Sequence, residues 1–282
     1  IGIEFATVWS GYGVEVSVVE MLPHILPNED EEAAAELAKA LKKRGVRTYA
    51  GTKVKGVERS ETGTKVLIES EKGEETLEAD VTLVAVGFKP NSGGIGLEEA
   101  GVEMDKRGFV VVDEQMRTNV PGVWAIGDLT GKLLLAHTAS AMGIICAENI
   151  AGKQPRQLDY RMIPRAVYSS PQVASFGYTE AQAKEAGFAV KVGKFNFQAN
   201  GKALGLGEYQ GWVKVITDEK YGEILGATIV GPEASELLPE LVLAQANELT
   251  VEEIARSVHA HPTLSEALME AAESALGSAI HG

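Results

Sequence analysis

Apolar positions along the first fifty residues fall into a helix, strand, helix, strand order. Residues 1–12 carry helix-like spacing, and residues 14–20, Val-Glu-Val-Ser-Val-Val-Glu, read as a strand. Its β-branched residues and short apolar run suit a buried parallel position. Residues 28–44 have the period of an amphipathic helix, with acids in the first turn, Lys42, Lys43 and Arg44 in the last, and Gly45 where a C-terminal cap belongs. A second short strand follows at 46–49. This order implies a doubly wound α/β unit.

From Lys53 to Glu78 the pattern changes to alternating short runs broken at Thr62-Gly63 and Lys72-Gly73, which predicts a β-meander with hairpin turns. Residues 81–87 are an apolar strand pattern, and 93–101 a glycine-punctuated loop. Further strands are expected at 110–112 and 123–126, the latter ending in Gly127-Asp128, and a helix at 139–150. Residues 151–165 are polar, contain Pro155 and Pro164, and read as a linker. The remainder has the periodicity of an α+β domain: strands at 166–178 and 189–197, a hairpin of 212–217 with 224–230, and helices at 234–248, 250–257 and 263–276.

Composition narrows the function classes. A length of 282 residues suits two domains at roughly 100–200 residues each. With 26 basic and 40 acidic side chains, the formal charge of −14 repels phosphate backbones and argues against nucleic acid as a partner. No apolar run approaches the ~18 residues of a membrane span. Cys146 is the single cysteine, so an intrachain disulfide and a Cys-x2-Cys zinc cluster are both excluded, and no metal site is expected. A reducing cytoplasm is the expected location. The chain opens Ile1-Gly2-Ile3-Glu4 without methionine, inside helix-like sequence, and is read as a fragment.

Three constellations carry candidate chemistry. Gly2 stands where the last glycine of a dinucleotide fingerprint would, and Glu20 ends the next strand, where a carboxylate accepts from ribose hydroxyls and repels a 2′-phosphate. An ordinary helix glycine and a surface glutamate give the same letters. Asp128 follows an apolar strand and a glycine, at the carboxyl edge where open α/β sheets bind ligands; a plain turn aspartate is the alternative. His259-Ala260-His261-Pro262-Thr263-Leu264-Ser265-Glu266 offers two imidazoles as general bases, with Glu266 able to fold back on His261. Thr263 and Glu266 equally form a Thr-x-x-Glu capping box, and the two roles can coexist. Cys146, in an apolar run, reads as a core residue.

Together with Gly87-Phe88-Lys89-Pro90-Asn91, Leu135-Ala136-His137-Thr138-Ala139, Pro171-Gln172-Val173-Ala174 and Gly201-Lys202-Ala203, these strings resemble the C-terminal part of the two-cysteine flavoprotein disulfide reductase family, in its dihydrolipoamide dehydrogenase branch. The resemblance implies α/β and α+β architecture. Residues 1–88 would be a Rossmann-like NAD-binding domain with a β-meander, incomplete at its N-terminus. Residues 89–158 would be the C-terminal part of an FAD-binding domain, and 159–282 a dimerisation domain. It implies that Gly2, Glu20 and Gly87 touch NAD, with Val54 a weaker candidate, that Asp128 bonds the ribityl chain of FAD, and that the backbone at Ala136 and His137 faces the flavin. His261 would be the acid–base for a dihydrolipoamide thiol, oriented by Glu266, and would serve the other subunit of a homodimer. Docking to a dihydrolipoamide acyltransferase is implied as well.

Within the family, Glu20 opposes an NADP phosphate, and the vicinal cysteines that end mercuric reductases are absent from this sequence. Phe88 departs from the usual Arg. The Cys-x4-Cys redox pair and the first FAD glycine motif are also absent, so the chain alone is expected to be inactive. The alternatives are a non-catalytic dimerisation module that binds the acyltransferase, or another NAD(P)-dependent disulfide reductase.

Overall fold

The computed structural model describes residues 1–154 and 157–281. Pro155, one of the two linker prolines, lies outside the described residues. The chain divides into two compact units, Ile1–Ala85 with Pro164–Gly282, and Val86–Ile163.

The first unit opens with α1 (Gly2–Gly11), β1 (Ser17–Val19), α2 (Glu31–Lys43) and β2 (Arg47–Tyr49). β1 and β2 pair in parallel, Ser17 opposite Arg47 and Val19 opposite Tyr49. The strand expected over 14–20 shortens to the three residues that have this ladder partner. α2 begins later than its spacing suggests because Asp30 caps it, its carboxylate accepting the Glu32 N–H at 2.9 Å. Ala33, Leu37 and Leu41 line its buried face, and Gly45 takes φ +83° beyond its last turn. The meander follows as expected: β3 (Lys53–Arg59), β4 (Thr64–Ser70) and β5 (Gly73–Ala79), antiparallel and in chain order.

The run 81–87 is not a strand. No strand among the described residues pairs with it, and most of its side chains are exposed. An apolar run becomes a strand only where a neighbour offers free N–H and C=O groups.

The second unit carries α3 (Ala136–Ile150), which starts ahead of the expected Ala139. The strands expected at 110–112 and 123–126 reduce to single bridges, Met104 with Val110 and Arg117 with Trp124. Aspartates close the turns between them. Asp105 accepts from the Arg107 and Phe109 N–H groups, and Asp113 from those of Gln115 and Arg117. The amides of Val110, Val111, Val123 and Ala125 bond the separate carbonyls of Leu129, Glu103, Val120 and Met116, so no continuous ladder forms. Met116, Met142, Ile145 and Cys146 form one core of this unit. Burial pushes the Cys146 thiol above its ordinary value, in keeping with a core role.

The first unit resumes with β6 (Arg165–Val167), β7 (Gln172–Gly177), α4 (Glu180–Glu185), β8 (Val190–Asn196), α5 (Gly201–Leu206), β9 (Trp212–Asp218), β10 (Ile224–Gly231), α6 (Ala234–Ala246), α7 (Val251–Arg256) and α8 (Glu266–Leu276). The sheet order is β6-β7-β10-β9-β8, antiparallel throughout. The single strand expected at 166–178 is two, because Pro171 has no N–H for a ladder and the Ser169 hydroxyl bonds the Pro171 carbonyl at 2.7 Å. The helix expected from Thr263 begins at Glu266. Gly193 of β8 lets α8 approach closely: a Cβ there would lie 1.9 Å from the Ala271 carbonyl oxygen.

Charged groups fix the head of α2 to this sheet. Lys214, buried in β9, reaches Asp30 at 2.9 and 3.1 Å and Glu32 at 2.9 Å. Lys194 bonds Glu32 too, and both ammonium groups lie over the Trp212 ring. Glu29 takes bonds from Arg165 and Ser175. Burial alone would push Lys214 down, but Glu32 and Asp30 outweigh it and hold the ammonium above its ordinary value.

Candidate functional site

The segment between α7 and α8 is built by side-chain bonds to backbone. The Thr263 hydroxyl donates to the Ala260 carbonyl at 2.7 Å, and buried Asn200, at the head of α5, donates through Nδ2 to the Thr263 carbonyl at 3.0 Å. Asn200 also caps α5 by accepting the Ala203 N–H. The loop is therefore tied at both its own base and a neighbouring helix.

On that loop His261 Nδ1 lies 2.8 Å from Glu266 Oε1, while Glu266 Oε2 accepts the Thr263 N–H at 2.8 Å. The His261 side chain is 75% exposed and that of Glu266 19%. A carboxylate against Nδ1 selects the tautomer with the proton there, which leaves the Nε2 lone pair free to take a proton. Partial burial pushes the Glu266 carboxyl up. The Thr263 N–H, the His261 ring and the nearby His259 charge outweigh that effect and hold it below its ordinary value. The capping box is half made: Glu266 bonds the Thr263 amide, but the Thr263 hydroxyl turns to Ala260, so one carboxylate both braces the loop and orients the imidazole.

In the first unit Gly2 opens α1, which has no side-chain cap, and packs beside Ala85. Glu20 continues β1, its N–H bonded to the Tyr49 carbonyl at 2.9 Å, and its Oε1 accepts the Leu22 N–H at 2.8 Å. Val54 is on β3 opposite Ile68. In the second unit Gly87 takes φ +109° with open space where a Cβ would be, and Phe88 is exposed. Asp128 is exposed on a 3₁₀ turn, Gly127–Thr130. Gly127 has φ +70°, and a Cβ there would lie 3.1 Å from that of Ala139, so the turn seats against the first turns of α3. Ala136 and His137 are exposed at the head of α3, which has no side-chain cap. An uncapped helix head beside an exposed carboxylate fits a cofactor with both acceptor atoms and hydroxyls, as FAD has. The Glu20 carboxylate, at the end of β1, fits the ribose hydroxyls of a dinucleotide.

The sequence profile of the pyridine nucleotide-disulphide oxidoreductases matches residues 1–143, and that of their dimerisation domain residues 163–272. The chain belongs to this family. The dihydrolipoyl dehydrogenase of Corynebacterium glutamicum is 51% identical across the whole chain, and that of Mycobacterium leprae 50%. The chain spans 61% and 60% of the length of these two relatives. Among solved structures, LpdA from Mycobacterium tuberculosis superimposes with a TM-score of 0.89 at 31% identity, covering 96% of this chain and 58% of that one. The HOCl-induced flavoprotein disulfide reductase RclA from Escherichia coli gives 0.87 at 28% identity, covering 94% and 60%. The mixed architecture expected from the sequence is thus that of the oxidoreductase family.

Two site-building residues escaped the sequence reading. Asn200 has a legible signal, an asparagine directly before a short helix. Glu240, 2.9 Å from His259 Nε2, has none, since it sits inside α6 among leucines.

Proposed function

We propose that the protein to which this chain belongs oxidises protein-bound dihydrolipoamide to lipoamide and passes the electrons to NAD⁺. The observation that carries this reading is the His261–Glu266 pair, an exposed Nε2 base whose other nitrogen is held by a carboxylate. His261 takes a thiol proton, and the resulting thiolate is the species that attacks a disulfide. In the net reaction two thiols lose two electrons and two protons, NAD⁺ gains a hydride, and one proton goes to solvent. FAD, when bound, supplies the relay of the electron pair between disulfide and nicotinamide.

The chain's own groups divide these tasks. Asp128 would offer its exposed carboxylate to the ribityl hydroxyls of FAD, and the backbone at Ala136 and His137 would hold the flavin. Gly2, Gly87 and Val54 would be contacts for NAD, and Glu20 would accept from its ribose hydroxyls. The domains assigned are 1–88 for NAD, 89–158 for part of the FAD site and 159–282 for dimerisation. The exposure of His261 suits a base that serves the partner subunit of a homodimer. A basic domain of a dihydrolipoamide acyltransferase would complement the formal charge of −14, and the cytoplasm suits a chain with one thiol. Cys146 is buried and without a second cysteine, so the isolated chain is expected not to turn over dihydrolipoamide.

The test is His261→Gln in the full-length protein. We expect kcat to fall by about 10²–10⁴, the usual contribution of a general base, with flavin content unchanged. Undiminished turnover would remove His261 from the reaction. Visible absorption of the purified chain after incubation with FAD tests the cofactor residues separately. One flavin per chain supports Asp128, Ala136 and His137 as ligands, and none shows that they do not suffice.

A further inference from the structure

We propose that His259 is a fixed imidazolium that positions the His261–Glu266 pair from behind, clamped between α6 and the end of α7. This deepens the reading of His261 as the base and rests on it.

The His259 side chain is only 7% exposed. Its Nδ1 lies 2.9 Å from the Ser257 carbonyl oxygen and its Nε2 2.9 Å from Glu240 Oε1. A backbone carbonyl only accepts, and so does an ionised carboxylate. A neutral imidazole has one N–H and can satisfy one of them; both contacts together require a proton on each nitrogen. The ring is therefore a cation with two charge-assisted or carbonyl bonds, held in a single orientation.

That cation is two residues from His261 on the same loop. The chain on either side of His259 has little apolar anchorage, since Val258 and Ala260 are both exposed. The His259 clamp therefore supplies the tie between the loop and α6, while Asn200 supplies the tie at Thr263. The charged groups around it are accounted for. Glu240 comes from α6, and Glu266, with His261 on it, comes from α8. On α7, Arg256 pairs with Glu252, and Glu253 caps Thr250. The positive ring adds to the Thr263 N–H and the His261 ring in holding the Glu266 carboxyl below its ordinary value, as an acceptor facing His261 Nδ1.

Glu240→Gln separates charge from shape. A glutamine amide at this position can donate to His259 Nε2, so a neutral ring with a proton on Nδ1 alone keeps both hydrogen bonds. We expect ¹⁵N NMR of the full chain at neutral pH to show two ring N–H groups on His259, and one in Glu240→Gln. The Glu266 titration midpoint, read from its carboxyl carbon, should rise by a few tenths of a unit in Glu240→Gln. His259→Gln, which bonds Glu240 without a charge, should raise the same midpoint and guards against a folding defect in the first variant. A single N–H in the parent ring, or an unmoved Glu266 midpoint in both variants, overturns the proposal; a merely structural tie would leave the midpoint where it is. Neither readout involves turnover, so this result stands apart from the His261→Gln kinetics that decide the base itself.

Discussion

Two apolar runs of similar composition meet opposite fates. Residues 224–231 form β10, between β7 and β9, and all are buried, Ile229 with 0% exposure. Residues 81–86 have the same β-branched character, yet Val84 is 69% and Val86 92% exposed. The difference is not propensity but neighbours. β10 has a ladder on both edges and helices packed above it, whereas 81–86 has no strand beside it among the described residues. Apolar sequence states a demand for burial; a paired edge is what meets it.

The contrast can be tested most severely at Lys214, beside β10 in the sheet. Lys214→Ala would leave the buried Asp30 carboxylate unpaired, and we expect a loss of about 3–5 kcal/mol in urea unfolding. A loss below about 1 kcal/mol would mean that water reaches Asp30 and that this side of the sheet is not sealed. Ile229→Ala should cost about 2–5 kcal/mol through the cavity it leaves. Val84→Ala should stay within about 0.5 kcal/mol, as exposed sites do. Equal losses for these two would erase the distinction between the runs. Gly193→Ala, whose new methyl would strike the α8 backbone, should cost about 1–3 kcal/mol and lower the melting temperature accordingly.

The smallest effect expected is at Glu32. Burial raises its carboxyl, but bonds from Lys194 and Lys214 outweigh that and hold it below the ordinary 4.5. A carboxyl depressed on folding stabilises fully above its unfolded value and loses that contribution as pH falls through the lower folded value. Glu32→Gln should therefore lower stability slightly at neutral pH, shallow its fall below about pH 4.5, and meet the parent curve at low pH. An identical acid limb in the variant would show that the two lysines do not act through Glu32.

What was legible in the sequence was local. Gly45 beyond α2, the turns at Thr62-Gly63 and Lys72-Gly73, and the hairpin of β9 and β10 all follow from spacing within one short stretch of chain. α4 and α5 are too short, at six residues each, to show a period. The strands expected at 110–112 and 123–126 gave way because their amides find scattered carbonyls, Val110 that of Leu129 and Val111 that of Glu103, rather than one continuous neighbouring strand. The site shows the same boundary. His261 and Glu266 are five residues apart and were paired from spacing, while Glu240 and Asn200 reach the loop across 19 and 63 residues and left no mark in its sequence. Lys214, likewise, reads as one more polar residue in an alternating strand until Asp30 is folded over it.

The clamp on α2 also sets a timetable. Asp30 and Lys214 are 184 residues apart, so a ribosome adding about 5–20 residues each second delivers the second roughly 10–40 s after the first. For most of that interval Glu29, Asp30 and Glu32 have emerged without Arg165, Lys194 and Lys214, of which Lys214 comes last. The first helix-and-strand layer therefore cannot reach its final anchorage as it is made. It waits, with its charges still in water, for the last third of the chain to close over it.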